Sequence, residues 1–329
     1  MASDAGVAGS GCGDRGWGVV AAARALGPQV RGCAEQIERD RQLPQPLVDA
    51  LAAAGLFRLL VPAALGGAEA DPGTLVRVIE AVAEADGSAG WCVMVAAVDG
   101  ILCGWLGDDV AAAVFAGDPR AYVAGVVRPT GRAVAVAGGY RVSGRWAFAS
   151  GCRHATWFFG GCTLYDGDAP RLDPAGQPES RLMLLPPADL AIVDTWDVSG
   201  LRGTGSHDVV VDGAFVPEER SVAPGWEPPR PPRRPEPLYA FGLGVIPVGF
   251  AAVPLGIARR AIDALVELAG AKTPHQAAGL LRERPAAQVQ VGRAEARLRA
   301  GRAYLLEAVR EAWEAVGRTG ALTATQRMH

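Results

Sequence analysis

The chain is 329 residues long, enough for two or three domains and a sizeable core. Its 32 Lys and Arg against 35 Asp and Glu leave a formal net charge of −3, which excludes a general polyanion binder and makes nucleic acid an unexpected partner. The six cysteines form no C-x-x-C pair and no Cys/His cluster of zinc spacing, so they read as reduced thiols in a cytoplasmic protein with no metal site.

Residues 1–18 (MASDAGVAGSGCGDRGWG) have an Asp, no Lys or Arg ahead of an apolar h-region, and so read as a flexible Gly-rich leader rather than a secretory signal. Their G-x-G-x-x-G, at Gly11, Gly13 and Gly16, follows no hydrophobic strand and is not a dinucleotide fingerprint. No uninterrupted apolar run approaches the ~20 residues of a membrane span, so no membrane partner is expected.

Residues 19–118 read as a helical domain. Gly27-Pro28 is expected to break or kink the first helix. In PQPLVDALAAAGL, Pro44 or Pro46 suits a first turn, Leu47 and Leu51 recur four apart, and Gly55 suits a C-terminal cap. A further helix, SAGWCVMVAAVDGILCGWLG, is apolar almost all round and belongs in a core or against a cavity.

From residue 119 to 223 the period changes to alternation. RAVAVA and YRVSGRWAFAS flank Gly138-Gly139 and predict a hairpin, and four more short strand patterns suggest a small antiparallel barrel or sandwich. Residues 224–237 are a Pro-rich linker; its Arg230, Arg233 and Arg234 could grip an anion, but a solvated connector is the better reading. Residues 238–329 carry two long helical patterns, the second with an apolar stripe of Val289, Leu298, Leu305 and Val309. They read as a helical bundle that is incomplete, either truncated or finished by another subunit.

The chemistry-bearing residues lie mostly in GRWAFASGCRHATWFFGGC, residues 144–162. A serine nucleophile at Ser150 needs the G-x-S-x-G elbow, whose first glycine FASGC lacks, and an identifiable base with its orienting group. His154 reads as a structural histidine. Residues two apart on a strand share a face, so Trp146, Phe148 and Ser150 are expected to point one way, an apolar platform with a hydroxyl at its rim. GLRGTGSHD (200–208) is no Walker A loop, because no Lys follows its glycines; a plain turn or a polar contact at Thr204 and Ser206 remain open. Asp99, in its apolar helix, is either an acid or base of raised pKa or an exposed aspartate at a kink. Trp91 and Met94, one turn apart, line a pocket or pack a core.

In order and wording, EADGSAGWCVMV, GRWAFASGCRHATWFFGGC, WDVSGLRGTGSHDVVVDGAFVPEER and AAQVQVGRAEARLRAGRAYLLEAV resemble the acyl-CoA dehydrogenase superfamily, most closely its reduced-flavin-dependent, two-component monooxygenase branch. The resemblance runs from about residue 30 almost to the end. It implies an α+β chain with an N-terminal helical domain, a central antiparallel β-barrel and a C-terminal bundle. It implies a reduced FMN or FAD cofactor, a separate flavin reductase, a small organic substrate and a homotetramer. Under it, Phe148 lies against the flavin, Ser150 bonds its polar edge, and Trp146, Ala149, Gly151, Thr204 and Ser206 complete the wall. Lys272 would meet a flavin phosphate across a subunit contact, and Trp91 and Met94 would line the substrate pocket. The dehydrogenase alternative needs a carboxylate base, and residues 240–262 contain no Asp or Glu. An inactive flavin-fold partner subunit is the third reading.

Overall fold

The computed structural model describes residues 13–223, 231–275 and 278–323. Cys12, Gly11, Arg230 and the first half of the predicted linker lie outside them.

Helix α1 (Gly13–Gly32) starts inside the predicted leader and runs unbroken through Pro28, contrary to expectation. Its buried Val20, Ala23 and Val30 join the main core, and this packing outweighs the one hydrogen bond a proline removes. After α2 (Ala34–Asp40), α3 (Gln45–Ala53) has Pro46 in its first turn, Leu47 and Leu51 buried, and Gly55 just beyond its end at φ 74°, as the spacing predicts. Aspartates cap the next two helices. Asp71 accepts from Thr74 N ahead of α4 (Pro72–Ala85), and Asp86 accepts from Ala89 N ahead of α5 (Gly87–Asp99). Helix α6 (Asp108–Phe115) closes the domain.

The strands are β1 (Val123–Val136), β2 (Gly139–Ala149), β3 (Trp157–Asp166), β4 (Ala169–Pro170), β5 (Ser180–Leu185), β6 (Ala191–Val193), β7 (His207–Pro217) and β8 (Ser221–Val222). β1 and β2 form the predicted hairpin, with Val136 opposite Gly139 and Gly138 at φ 77° in the turn. The expected antiparallel barrel is instead a mixed sheet of order β6-β7-β2-β1-β3-β5-β8, with β4 beside β3. β3 returns along the free edge of β1 in the same direction, so that pair is parallel, and the hydrogen-bonded path stays open at β6 and β8.

Residues 231–235 are partly solvent-exposed, as expected of a connector, but are tethered to the N-terminal domain. Arg233 N donates to Gly104 O at 2.6 Å; the Arg234 guanidinium donates to Cys103 O at 3.1 Å and Asp108 Oδ1 at 2.7 Å. Its side chain therefore satisfies helix-end groups of the N-terminal domain.

After α7 (Pro237–Phe241), the long helices α8 (Val245–Ala271) and α9 (Pro285–Thr319) follow. They do not stand apart from the N-terminal helices. A Cβ on Gly256 of α8 would lie 2.4 Å from Glu80 O of α4, so the two backbones touch, and Arg302 of α9 pairs with Glu80 at 2.6 Å. Of the stripe predicted on α9, Val309 is buried and Val289 is half-exposed.

Two stretches, Gly87–Gly104 and Pro237–Ala271, are long and apolar enough to cross a membrane, more than the sequence reading allowed. The first is 78% buried inside the protein, which makes it a core element; an 18-residue window of the second is 39% buried. Among the described residues, no three His, Cys, Asp or Glu side chains converge as a metal site. The buried thiols of Cys92, Cys103 and Cys162 are pushed up to about 12 by desolvation and are unreactive at neutral pH.

Candidate active site

The end of β2 departs from strict alternation. Trp146 pairs with Val209 and Ala149 with His207, so three steps on β2 oppose two on β7, a β-bulge. The extra residue is absorbed at Phe148, a non-glycine at φ 63°, where Ser150 N folds back onto Phe148 O at 2.9 Å. The shared face expected for Trp146, Phe148 and Ser150 is thereby lost. Trp146 turns wholly inward, donates from Nε1 to Gly161 O at 2.7 Å and packs edge-on against Phe158 at 5.8 Å. It is a core residue and no cofactor platform. Phe148 turns outward, 71% exposed, with Trp196 against it, edge to face at 6.0 Å. A bulky residue at positive φ costs of order 1–3 kcal/mol, and such strain gathers at functional sites.

Beyond the bulge, Ala149 is buried and Ser150 keeps 7% of its surface. Ser150 Oγ accepts from Trp91 Nε1 at 2.9 Å and lies 2.7 Å from Ser206 Oγ; Ser206 Oγ lies 2.6 Å from Thr204 Oγ1, which donates to Leu201 O at 2.9 Å. Gly151, at φ 71°, donates to Thr204 O at 2.8 Å and tolerates no Cβ, which would fall 1.9 Å from the Tyr122 hydroxyl. The β2 end and the 200–208 loop are thus locked together. Ser150, Gly151, Thr204 and Ser206 meet as the sequence suggested, and among the described residues the side chains bonded to the Ser150 hydroxyl are Trp91 and Ser206, neither of them a base.

The segment carrying Trp196 is clamped by Arg41, whose guanidinium takes both oxygens of Asp194 at 2.9 and 2.8 Å and the Trp196 carbonyl at 2.8 Å. That guanidinium holds the Asp194 carboxyl below its usual range. His207 Nδ1 accepts from the Thr195 and Trp196 amides at 3.3 and 3.2 Å, which requires the neutral ring; burial lowers its pKa accordingly. Burial, followed by Arg153, lowers His154 to about 4. Both histidines have folded values below their unfolded ones, so the stability they contribute is full above about pH 6.5 and drains away as pH falls through the folded values. Urea midpoints of the wild type should therefore drop between pH 7 and pH 4.5, and His154→Gln should show a shallower drop. An equal slope in both proteins would remove His154 from the account.

Helix α5 meets the end of β2 through the Trp91–Ser150 hydrogen bond. Gly87, Trp91, Val95 and Asp99 recur every four residues on its least buried face, while the residues between are buried. The Trp91 indole lies flat on Phe250 of α8, centroids 5.4 Å apart and planes 3° off parallel. Asp99 ends this stripe, two helical turns or roughly 12 Å from Trp91. It is no exposed aspartate at a kink: its Oδ2 is buried beside Gly125 with no hydrogen-bond partner, and desolvation pushes the carboxyl up to about 8. Met94, one turn on, is fully buried against Gly249 of the same helix α8, and so packs α5 on α8 rather than lining a pocket. Lys272 is exposed at the end of α8, roughly 33 Å from Phe250 at 1.5 Å per residue, and does not join the site within one chain. A cavity of about 580 Å³ beside Arg181, Glu218 and Arg233 contains none of these groups.

Phe250, Trp196 and Tyr122 are the parts that sequence reasoning missed. Trp196 stands in a stretch that carried the resemblance, but only the fold shows it against Phe148.

An outward aromatic two residues from a hydroxyl that is bonded to a stacked Trp–Phe pair fits a planar ring with a polar edge. The helix–sheet–helix order and this wall define an acyl-CoA dehydrogenase-type flavoprotein fold. Residues 21–106 match the family model for the acyl-CoA dehydrogenase N-terminal domain, and residues 248–329 that for an acyl-CoA dehydrogenase C-terminal domain. The chain is 35% identical to indole-3-acetate monooxygenase of Pseudomonas putida over 85% of its own length and 69% of that protein's. It is 34% identical to the flavin-dependent monooxygenase oxygenase subunit HsaA of Rhodococcus jostii, over 82% of this chain and 70% of that one. The crystal structure of 3-HSA hydroxylase from Rhodococcus sp. RHA1 superimposes with a TM-score of 0.81 at 31% identity, covering 94% of this chain and 79% of the other. XiaF from Streptomyces sp., in complex with FADH2 and glycerol, gives 0.83 at 26% identity over 96% and 79%. The chain belongs to the acyl-CoA dehydrogenase family, in the branch of flavin-dependent monooxygenase oxygenase subunits.

Proposed function

We propose that this chain is the oxygenase component of a two-component monooxygenase, taking reduced FMN or FAD from a separate reductase and oxygenating a small organic substrate. The observation that carries it is the juxtaposition of exposed, strained Phe148 with a Ser150 hydroxyl bridged to Trp91. When bound, reduced flavin supplies the two electrons with which one atom of O2 enters the substrate and the other leaves as water. Phe148 and Trp196 give that ring an apolar rest, and Ser150 Oγ meets its polar edge. Trp91 and Phe250 form a flat apolar surface for the substrate. Asp99, at the end of the same α5 face as Trp91, is kept protonated at neutral pH by its burial, and so stands as a proton donor.

The dehydrogenase alternative is disfavoured because the α8 surface facing Trp91 presents Phe250 and no carboxylate. The homotetramer and the cytoplasmic location belong to this proposal too. Exposed Ile257, Val266 and Leu268 on α8 and Val289 on α9 support a subunit contact, through which alone Lys272 could approach a flavin. The test supplies the chain with a flavin reductase, NAD(P)H, FMN or FAD, and a panel of small aromatics. Oxygenated product, with none formed when the chain is omitted, is expected. Oxidation of an acyl-CoA by an artificial acceptor, without oxygenation, would replace this reading with the dehydrogenase one.

A further inference from the structure

The hydroxyls behind Ser150 form a chain whose direction is fixed at both ends. The Trp91 indole N–H can only donate and the Leu201 carbonyl can only accept. Each hydroxyl between them has one proton. With every link made, Ser150 donates to Ser206, Ser206 to Thr204, and Thr204 to Leu201 O. Ser206 and Thr204 are 4% and 2% exposed, so water offers them no substitute partners, while Ser150 keeps a sliver of surface. On its remaining side, Ser150 therefore presents a lone pair and no proton.

We infer that the Ser150–Ser206–Thr204 relay makes the site prefer reduced over oxidised flavin, by leaving Ser150 as an acceptor. The central-ring nitrogen of the reduced isoalloxazine carries a hydrogen; in the oxidised ring the same nitrogen carries a lone pair. The inference rests on the flavin reading above and assigns Thr204 and Ser206 as positioning residues. An acceptor edge can be met only if Ser150 turns its proton outward. Ser206 then turns to donate to Ser150, Thr204 turns to donate to Ser206, and the Thr204–Leu201 bond is lost. The Leu201 carbonyl still accepts from Trp196 Nε1 at 3.1 Å, so the difference is one hydrogen bond rather than an orphaned group, about threefold to tenfold in affinity.

Anaerobic titrations of the full chain with FMN and FAD, each oxidised and dithionite-reduced, read by tryptophan-fluorescence quenching, give the Kd ratio directly. Thr204→Val removes the inward acceptor and frees the Ser150 proton. Its oxidised-to-reduced Kd ratio should fall by about threefold to tenfold, equivalent to lowering the bound flavin's two-electron potential by about 15–30 mV. Ser206→Ala should lower the ratio similarly, and Thr204→Ser should restore it. A ratio within twofold of wild type in both Thr204→Val and Ser206→Ala overturns the relay while leaving the flavin site standing. Failure of the wild type to bind either redox form overturns both.

Discussion

Asp99→Asn should slow substrate oxygenation by about 100-fold or more, the usual worth of a positioned acid or base. The substitution keeps the shape of the side chain and removes its proton, so binding of reduced flavin should be little changed. In the wild type, turnover should bend near pH 8, where the buried carboxyl titrates, and the variant's profile should be flat there. Stability gives an independent reading. A carboxyl raised above its unfolded value stabilises fully at pH below about 4 and loses that contribution as pH climbs through about 8. The melting temperature of Asp99→Asn relative to wild type should therefore rise from pH 5 to pH 9. A flat difference would mean that the carboxyl is solvated, and the acid–base role would go with it.

Two aromatics on one strand should behave oppositely. Trp146→Ala empties a fully buried site against Phe158 and removes the bond to the Gly161 carbonyl, and should cost about 3–5 kcal/mol. Phe148→Gly removes a side chain that touches little besides Trp196 and relieves a positive φ, so stability should hold or rise by about 0.5–1 kcal/mol. Yet that variant should lose flavin binding. Urea denaturation separates the pair; destabilisation of Phe148→Gly comparable to Trp146→Ala would show Phe148 to be structural.

What the sequence disclosed followed local rules. Pro46, Gly55 and the Gly138 hairpin were legible because caps and turns are set by residues in sequence contact, and the four matching segments carried the fold. The site was half legible for the same reason. Ser150, Gly151, Thr204 and Ser206 stand in two short stretches and meet as expected. Trp146 was misplaced because a period-of-two argument assumes an unbroken ladder, and one extra residue at the bulge reverses the face. Phe250 and Trp196 became visible only when α8 and the Arg41–Asp194 clamp brought distant segments together. Pro28 and Arg234 show tertiary packing overriding local propensity, toward helix in one case and a tethered strap in the other.

The central claim is that the outward turn at Phe148 makes the wall on which a flavin rests. Anaerobic titration of wild type and Phe148→Gly with reduced FMN and FAD tests it most directly. Saturable binding by the wild type, weakened at least tenfold in a variant that melts no lower, is the predicted result. Equal affinity in the two proteins, or no binding by either, would contradict it.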